Sequence, residues 1–525
     1  MLLLGIGGWL HDGAAAVMCD GAIVAAIEEE KLSREAHRGG LPTRAIHACL
    51  DLAEATTAEV DCVALVRPLG RGADNTFQIR LRSLFPNARI VVTDHHDAHA
   101  ASAYYASPFD EARVLTLDRQ GDMRCGAVWH GRGANLESEE DLYAPDSPAV
   151  VYSRVTELLG FRAGREEHKV QWLALSGEPR YSELFAAMMG SRASRLPTLD
   201  HSYFDPARPT QGAFSDKFYR ELGLEPSASI SDAMQRDLAA SMHQAVTDAV
   251  LRLAGDASHL CLAGGIAMNA LLVEALECSG KFGEVFVQPA AGNAGTAVGG
   301  VFHAWHRVLK RSERVPMRDL FLGPRYGKED ISQVLENCKL NFRFLLTDAE
   351  LIGSAVERLA DDQILAWFQG RTEFGPRALG NRSILASPLN PYSTENLNVY
   401  IKRRENFRKF AASVPEEAVD EYFESTPASR YLATVSRVKP AHRKTFESAL
   451  LDGERIRLHV VRRADNRLYW DLLNEAGRVS GLPVLYNTSF NLFGEPLVSD
   501  PRSAVRSFYA SGIDALFVGN FLLEK

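Results

Sequence analysis

A strand-rich unit with short glycine turns occurs twice in the first third of the chain, and this recurrence constrains the fold more than any other feature. The first copy (2–34) reads LLLGIGGWLHDGAAAVMCDGAIVAAIEEEKLSR, and the second (112–143) reads ARVLTLDRQGDMRCGAVWHGRGANLESEEDLY. In both copies apolar runs alternate with turn signals, as in an antiparallel β-meander. Helical sequence follows each copy, so the pattern favours a duplicated α/β domain with a cleft between its halves. Two unrelated hairpins would give the same local pattern.

The chain has 525 residues, too many for one ordinary core. Helical spacing over Ser229–Ala254 is followed by two strand, glycine-loop and helix units, which predict that the α/β pattern continues. Charges, prolines and glycines then accumulate in RSERVPMRDLFLGPRYGKED (311–330), which is typical of a linker. We therefore expect a first domain over residues 1–340 and a second over residues 345–525.

Charge and cysteine usage exclude several classes of protein. The net charge of −9 argues against a nucleic-acid partner, because no overall positive surface is available to phosphates. The start MLLLGIGGWLHDG lacks a basic region and is interrupted by glycines, so it reads as a first strand rather than a signal peptide, and no stretch is apolar enough for a membrane span. The seven cysteines are scattered and form no C-x-x-C, which predicts a cytoplasmic protein without disulfides.

The stretch VVTDHHDAHAAS crowds histidines and aspartates at the end of an apolar strand. Thr93 or Asp94 can cap a following helix, on which His95 and His99 project from the same face. Two imidazoles at this spacing can share a metal ion, and Asp118, at the end of the strand RVLTLD, adds an oxygen ligand. Such a set suits Fe²⁺, Mn²⁺ or Zn²⁺. Surface histidines are the alternative explanation.

Two glycine-rich loops precede predicted helices. LAGGIAMN (262–269) has glycines where backbone amides can approach a phosphate or the sugar of a nucleotide, and AGNAGTAVGG (291–300) repeats the arrangement. Each loop alone would fit a tight packing turn. Together they predict a nucleotide cleft.

The second half concentrates basic and small polar side chains. GRTEFGPRALGNRSILASP carries Arg371, Arg377 and Arg382, and IKRRENFRKFAASV adds Lys402, Arg403, Arg404, Arg408 and Lys409. Arginine forks bind phosphate oxygens, so this segment predicts a site for ATP or a small phosphorylated substrate. An exposed basic helix is the alternative. In LPVLYNTSFNLFGEP the side chains of Ser489 and Asn491 either form a turn or line a phosphate pocket.

These motifs, in their order, resemble the carbamoyltransferases of the NodU/TobZ type. The resemblance covers nearly the whole chain and is most specific in LHDGAAAV, DHHDAHAASAYYASPF, LAGGIAMN, GRTEFGPRALGNRSILASP and NTSFNLFGEP. It implies a duplicated actin/Hsp70-like (Kae1-like) domain followed by a YrdC-like α/β domain. The YrdC-like site of the family combines ATP and carbamoyl phosphate into carbamoyl-adenylate, and the Kae1-like site transfers the carbamoyl group to a hydroxyl of a small molecule.

The resemblance also implies roles for individual residues. In the second domain carbamoyl phosphate and nucleotide phosphates would be held by Arg377, Lys402, Arg408, Ser489 and Asn491. In the first domain His95, His99 and Asp118 correspond to metal ligands, with Fe²⁺ as the expected divalent ion, while Gly264, Gly265 and Asn269 fall in the nucleotide loop. His11 would act as a base on the acceptor hydroxyl. Lys169 would either contact a phosphate or form a structural ion pair.

This chain departs from the family pattern near the expected first-domain site. Asn293 stands where most family members have an aspartate that binds metal, and a neutral amide oxygen is a weaker ligand. Two further changes, DRQGD after Asp118 and WLALSG at 172–177, fall nearby. We therefore keep two alternatives to O-carbamoylation: carbamoyl transfer to nitrogen or another adenylate-driven condensation, and a nucleotide-binding regulatory protein. A homo-oligomer is possible, and the acceptor is not identified by sequence.

Overall fold

The computed structural model describes residues 1–66, 75–190, 194–208, 210–226 and 228–525. The first half of the N-terminal domain contains β1 Leu2–Gly7, β2 Ala14–Cys19, β3 Ala22–Glu28, α1 Glu29–Ser33, α2 Thr43–Leu52, β4 Cys62–Val66, α3 Asn75–Leu84, β5 Arg89–Thr93 and α4 His95–Tyr104. Its sheet has the order β3-β2-β1-β4-β5. The meander β1–β3 is antiparallel, and β4 and β5 extend the sheet in parallel to β1.

The second half repeats this arrangement. It contains β6 Glu111–Gly121, β7 Arg124–Arg132, β8 Asn135–Tyr143, α5 Pro148–Leu158, α6 Glu167–Ala174, α7 Ser182–Met188, α8 Asp216–Glu221, α9 Asp232–Ala254, β9 Ala257–Ala263, α10 Ala270–Glu277, β10 Phe282–Val287 and α11 Gly295–His303. Its sheet has the order β8-β7-β6-β9-β10, again with an antiparallel meander and two parallel strands.

The two sheets share one topology. If the strands of each half are numbered in chain order, both sheets read 3-2-1-4-5 with the same strand directions. The expected duplicated actin/Hsp70-like fold is therefore confirmed, and both β-meanders were correctly predicted from the sequence.

Helices α4 and α11 pack between the two sheets, and glycines permit their close approach. A Cβ atom at Gly299 of α11 would lie 1.8 Å from the carbonyl oxygen of Ala98 in α4, and one at Gly5 of β1 would lie 2.0 Å from that of Ala297. Small residues on α4, including Ala100, Ala101 and Ala103, are fully buried in the core between the sheets. This packing holds the first turn of α4 at the cleft between the halves.

The C-terminal domain is an α/β domain built on a ten-stranded mixed sheet with the order β11-β20-β19-β12-β13-β18-β14-β17-β16-β15. Its elements are α12 Lys328–Asn337, β11 Arg343–Phe344, α13 Asp348–Ala360, β12 Leu365–Phe368, β13 Arg382–Ala386, α14 Ser393–Asn396, β14 Ala411–Pro415, α15 Val419–Tyr422, β15 Phe423–Glu424, β16 Ser436–Val438, β17 Arg455–Val461, α16 Arg467–Ser480, β18 Leu485–Ser489, α17 Pro501–Tyr509, β19 Ala515–Val518 and β20 Phe521–Glu524.

The predicted linker has no helix or strand over residues 311–327. Helix α12, which precedes the expected domain start at residue 345, contributes Ile331 and Leu335 to the core of the ten-stranded sheet. We therefore propose that the second domain begins at α12. Within the described ranges, no helix combines the length and apolarity that a membrane span requires.

Candidate active site

A cavity of about 870 Å³ lies between the two halves of the N-terminal domain. Its wall is formed by the β1–β2 turn, the start of α4, the end of β6, the segment before α10 and the segment before α11. Six of the residues predicted from sequence line it: His11, His95, Asp118, Gly265, Asn269 and Asn293. The fold thus brings together the first-domain motifs in a single cleft.

His95, His99 and Asp118 converge at the floor of this cavity. Asp118 Oδ2 lies 2.9 Å from Nε2 of both histidines, and the two Nε2 atoms are 3.1 Å apart. His99 is fully buried, and among the residues that the structure describes its Nδ1 has no hydrogen-bond partner. The other carboxylate oxygen of Asp118 accepts a hydrogen bond from the backbone N–H of Gly265. One carboxylate therefore joins the histidine pair to the glycine loop.

Local sequence explains why the pair is presented to the cleft. Asp94 is the N-cap of α4 and accepts hydrogen bonds from the backbone amides of His96 and Asp97, so the helix begins at His95. Arg124 of β7 pairs with the carboxylates of both Asp94 and Asp97 and fixes this end of the helix. A Cβ atom at Gly121 would lie 2.2 Å from the His95 ring, so only glycine leaves room for the imidazole.

Electrostatics keeps Asp118 ionised. Burial alone would raise the pKa of this carboxyl, but the neighbouring His99 and His95 hold it well below its usual range. Burial lowers the pKa of His99. At His95 burial opposes protonation, yet the hydrogen bond to Asp118 raises the pKa above its ordinary value. The cluster thus presents a carboxylate and a neutral imidazole, both of which can donate a lone pair.

This donor set fits a divalent transition-metal ion. Two atoms each about 2.1 Å from one ion and at right angles to each other are about 3.0 Å apart, close to the observed spacings. Two imidazoles and one carboxylate on one face leave other positions open and suit Fe²⁺, Mn²⁺ or Zn²⁺. His95, His99 and Asp118 are thus able to hold the expected ion.

His11 lies across the cavity, beside a second cluster. Its Nδ1 is 2.7 Å from Asp12 Oδ2, and the other oxygen of Asp12 is 2.7 Å from His37 Nδ1. Asn293 Nδ2 contacts both ring nitrogens of His11, at 3.2 and 3.1 Å. Asn293 thus lies in the same cavity as the metal-binding cluster, with its amide nitrogen against His11.

The glycine loop closes the opposite side of the cavity. Gly264 has φ +91, and a Cβ atom there would lie 2.4 Å from the carbonyl oxygen of Leu117, so the turn requires glycine. Asn269 caps α10 by accepting hydrogen bonds from two backbone amides, while its Nδ2 lies 3.3 Å from the Tyr152 hydroxyl. Helix α10 begins immediately after the loop, as predicted.

The C-terminal domain brings its predicted residues together around Lys402. Nζ of this buried lysine donates to the backbone oxygen of Ser489 at 2.5 Å and to Oδ1 and O of Asn491 at 2.7 and 2.9 Å. Burial, followed by the charges of Arg404 and Arg408, lowers the pKa of Lys402 well below its usual range. The segment 403–409 is irregular rather than the exposed basic helix that was the alternative.

Further arginines lie close to Arg404 and Arg408, and Glu405, 3.9 Å from Arg408, offsets part of the positive charge. Burial and then Arg408 lower the pKa of Arg377 to about 10, and burial and then Arg408 lower that of Arg404 to about 9. Burial and then Arg377, Arg404 and Arg408 lower the pKa of Arg457 well below its usual range. Arginines nevertheless remain protonated in proteins. The group Arg377, Lys402, Arg404, Arg408 and Arg457, here called the cationic cluster, is therefore preorganised for an anion.

Lys169 and His168 of α6 lie where the two domains meet. Lys169 Nζ is 2.6 Å from Glu405 of the C-terminal domain and 2.9 Å from Glu166, so in this structure it forms ion pairs. His168 lines the cavity, and burial followed by the charges of Arg408 and Arg377 lowers its pKa to about 3. The first-domain cavity and the cationic cluster are therefore neighbours.

Two members of the cationic cluster were not among the residues assigned to the site from sequence. Arg404 was noted only as part of a basic run. Arg457 stands between the buried Ile456 and Leu458 in β17, and a charge within an apolar strand is a weak signal. His168 and Arg124 were also missed, because their roles depend on partners far away in the sequence.

Both domains of the chain match models of a known protein family. The model of the carbamoyltransferase N-terminus matches residues 2–78 and 75–302, and that of the carbamoyltransferase C-terminus matches residues 356–525. The chain belongs to the carbamoyltransferase family. The resemblance inferred from the motifs is thereby confirmed, as is the expectation of an enzyme that transfers carbamoyl groups.

Relatives of this carbamoyltransferase are similar over almost its whole length. An uncharacterized protein of Synechocystis is 33% identical over 100% of the chain and 96% of its own length. Nodulation protein NolNO of Sinorhizobium fredii is 32% identical over 98% of the chain and 79% of its own length. The 3'-hydroxymethylcephem-O-carbamoyltransferase of Amycolatopsis lactamdurans is 26% identical over 98% of both proteins.

Proposed function

We propose that this carbamoyltransferase uses ATP and carbamoyl phosphate to form carbamoyl-adenylate in its C-terminal domain and transfers the carbamoyl group to a hydroxyl of a small molecule in its N-terminal domain. The observation that carries the proposal is the cationic cluster. Five buried or half-buried cations repel one another there, and the proposed substrates are polyanions that would relieve this repulsion.

The first reaction needs one water molecule. Water releases inorganic phosphate from carbamoyl phosphate, and an oxygen of the resulting carbamate attacks the α-phosphorus of ATP and displaces pyrophosphate. Negative charge moves onto leaving phosphate oxygens in both steps, and arginines fixed beforehand stabilise that charge without reorganisation. Arg377, Lys402 and Arg408 are the groups to which we assign this role, with Ser489 and Asn491 holding the lysine.

The second reaction takes place in the cavity of the N-terminal domain. The acceptor hydroxyl attacks the carbonyl carbon of the adenylate, and AMP leaves. His11, with Nδ1 on Asp12, would accept the hydroxyl proton at Nε2. His168, which lines the cavity close to Arg377 and Arg408, supports direct passage of the adenylate between the sites, where a reactive mixed anhydride is kept from bulk water.

A divalent ion, for which we propose Fe²⁺, would be held by His95, His99 and Asp118. When bound it would supply a Lewis acid for the phosphate or carbonyl oxygen of the adenylate. Gly264, Gly265 and Asn269 form the loop beside this cluster and would contact the nucleotide through backbone amides. Asn293 would contribute only a neutral amide, so the three-residue cluster carries the metal affinity.

The test is to incubate the purified protein with ATP and carbamoyl phosphate, with and without Fe²⁺, and to measure pyrophosphate and carbamoyl-adenylate by mass spectrometry. The wild type should form both, and Arg377→Ala should lose both. Arg478→Ala, at an exposed arginine on α16, is the matched control and should retain them. A folded wild type that binds ATP yet forms neither product would refute adenylate formation.

A further inference from the structure

The loop that carries Arg377 is docked into the N-terminal domain. Residues 373–382, here called the arginine loop, form the last part of the connection from β12 to β13 in the C-terminal domain and end at the first residue of β13. Within the loop, the fully buried Glu373 accepts hydrogen bonds at Oε1 from the backbone amides of Leu379, Asn381 and Arg382, at 2.9, 2.9 and 3.0 Å. These bonds close the loop on itself, and Asn487 of the same domain donates to the backbone oxygen of Ala378 at 3.1 Å, but Gly375 is held from outside the domain.

Two side chains of the N-terminal domain hold that part of the loop. Lys31 Nζ in α1 donates to the backbone oxygens of Glu373 and Gly375, at 2.7 and 2.8 Å. Glu28, at the end of β3, accepts at Oε1 from the backbone N–H of Gly375, at 2.8 Å. Lys31 and Glu28 also pair with each other at 2.8 Å, and their exposed fractions are only 2% and 5%.

The hydrogen bonds with Glu28 and Lys31 hold Gly375 in a backbone conformation that suits glycine. Gly375 has φ +108, a conformation that glycine adopts without strain, and a Cβ atom there would lie 3.3 Å from the carbonyl oxygen of Pro289 in the N-terminal domain. Both the N–H and the C=O of this one residue are bound by the Glu28–Lys31 pair. The backbone two residues before Arg377 is therefore fixed by groups outside its own domain.

The position of Arg377 depends on its backbone, because within the described ranges its guanidinium has no bonding partner that would hold it. Among the residues that the structure describes, no side chain or backbone group forms a hydrogen bond or ion pair with its guanidinium, and the nearby Arg408 repels it. Left to itself, the arginine would relax away from the other cations towards solvent. A buried guanidinium that has no ion pair of its own keeps its position only if the backbone that carries it is held.

We propose that Lys31 and Glu28 are positioning residues for Arg377, so that the N-terminal domain sets the affinity of the C-terminal domain for carbamoyl phosphate. This inference rests on the proposed function of the cationic cluster. The Glu28–Lys31 pair does not touch the substrate. It acts by fixing the peptide of Gly375, and thereby the direction in which Arg377 leaves the arginine loop.

The test uses the full chain with ATP and carbamoyl phosphate as substrates and pyrophosphate as the product measured. Lys31→Met removes both donors to the loop, and Glu28→Gln with Lys31→Met removes the pair without leaving a lone buried charge. We expect the KM for carbamoyl phosphate to rise about tenfold or more in the double variant, with a smaller change in kcat, because displacement of a binding group by about 1 Å has effects of this order. The Kd for inorganic phosphate, measured by calorimetry, should rise in parallel.

Glu274→Gln is the matched control, since Glu274 forms a different ion pair between the domains, at 2.9 Å from Arg455. It should leave both constants unchanged. A purely structural role of Lys31 would lower kcat and the melting temperature with KM and the phosphate Kd unchanged, and that result would overturn the inference. A further outcome is that the wild type forms no pyrophosphate and yet binds phosphate more tightly than the Lys31→Met variant. That result would refute adenylate formation but would support the positioning role.

Discussion

Asp118 connects the candidate metal cluster to the glycine loop through the two oxygens of its carboxylate. One carboxylate oxygen faces His95 and His99, and the other accepts the backbone N–H of Gly265. The sequence predicted Asp118 as an oxygen ligand at the end of the apolar strand RVLTLD, and in the structure it lies within β6, just after regular pairing with β7 stops at Leu117. The hydrogen bond to the loop was not predictable, because it joins residues 147 positions apart.

Replacing Asp118 with asparagine should separate metal binding from folding. The Asp118→Asn side chain keeps an oxygen for Gly265 but loses the charge that a divalent ion requires, so we expect Fe²⁺ affinity to fall about tenfold or more. Metal content after dialysis against Fe²⁺ measures this. Asp122→Asn, at a cavity residue outside the cluster, should keep its metal. Equal metal content in Asp118→Asn and the wild type would contradict the site.

Arg457 illustrates the conflict between function and stability in the cationic cluster. Substituting methionine keeps the apolar part of the side chain and removes one of several repelling charges. We therefore expect Arg457→Met to raise the melting temperature by about 2–4 °C, the range expected for a gain of about 1 kcal/mol, while pyrophosphate formation falls. Calorimetry and the pyrophosphate assay measure the two effects. A lower melting temperature would show that Arg457 stabilises the fold.

At the scale of elements, the close packing of α4 against α11 determines where the first turn of α4 lies in the cleft. Gly299→Ala would place a methyl group 1.8 Å from the carbonyl oxygen of Ala98, so the helices must move apart. We expect a loss of about 3 kcal/mol in the free energy of unfolding, measured with urea. In contrast, Gly353 of α13 has open space around its Cβ position. Gly353→Ala should therefore stabilise the protein by about 0.5–1 kcal/mol. Equal effects of the two substitutions would argue against the tight helix contact.

Sequence periodicity predicted the elements of the N-terminal domain better than their packing. Turn signals predicted both meanders, and of the two candidate caps of α4, Thr93 and Asp94, the structure shows Asp94 as the N-cap. The approach of Gly299 to Ala98 leaves no periodic signal, because each helix alone would tolerate alanine. In the C-terminal domain the parallel pairing of β12 with β19 joins segments near opposite ends of the domain. Local sequence patterns do not predict this pairing.

At the scale of the whole molecule, buried histidines make stability depend on pH in both domains. Burial lowers the pKa of His243 to about 4 and that of His459 to about 3. Between these values and the ordinary pKa of about 6.5, the unfolded chain binds more protons than the folded chain. Stability should therefore fall as pH decreases below about 6.5, by about 1.4 kcal/mol per pH unit for each histidine.

Urea unfolding at a series of pH values from 7.5 to 4.5 would measure this slope. His459→Gln should flatten it, because the variant lacks one titrating group. His47→Gln, at an exposed position, should keep the slope of the wild type. An identical slope in all three proteins would mean that the carboxyl groups alone account for acid sensitivity.

The order of the motifs predicted the whole-molecule architecture, since the family resemblance extends over the entire chain. The arrangement of the arginine loop against Glu28 and Lys31 was not predictable, because neither residue belongs to a motif that carries chemistry. Their importance follows only from contacts more than 340 positions apart in sequence. Sequence therefore named candidate reactive groups, but not Glu28 and Lys31, which we propose position one of them.

The excess positive charge of the cationic cluster makes the stability of this enzyme depend on the anions in the buffer. A site built from repelling cations is least stable when empty, so dissolved anions take part in holding the native chain together. A melting temperature recorded in phosphate buffer should exceed that in an uncharged or weakly binding buffer at the same pH and ionic strength. The melting temperature measured at increasing phosphate concentration should therefore report the occupancy of the cationic cluster.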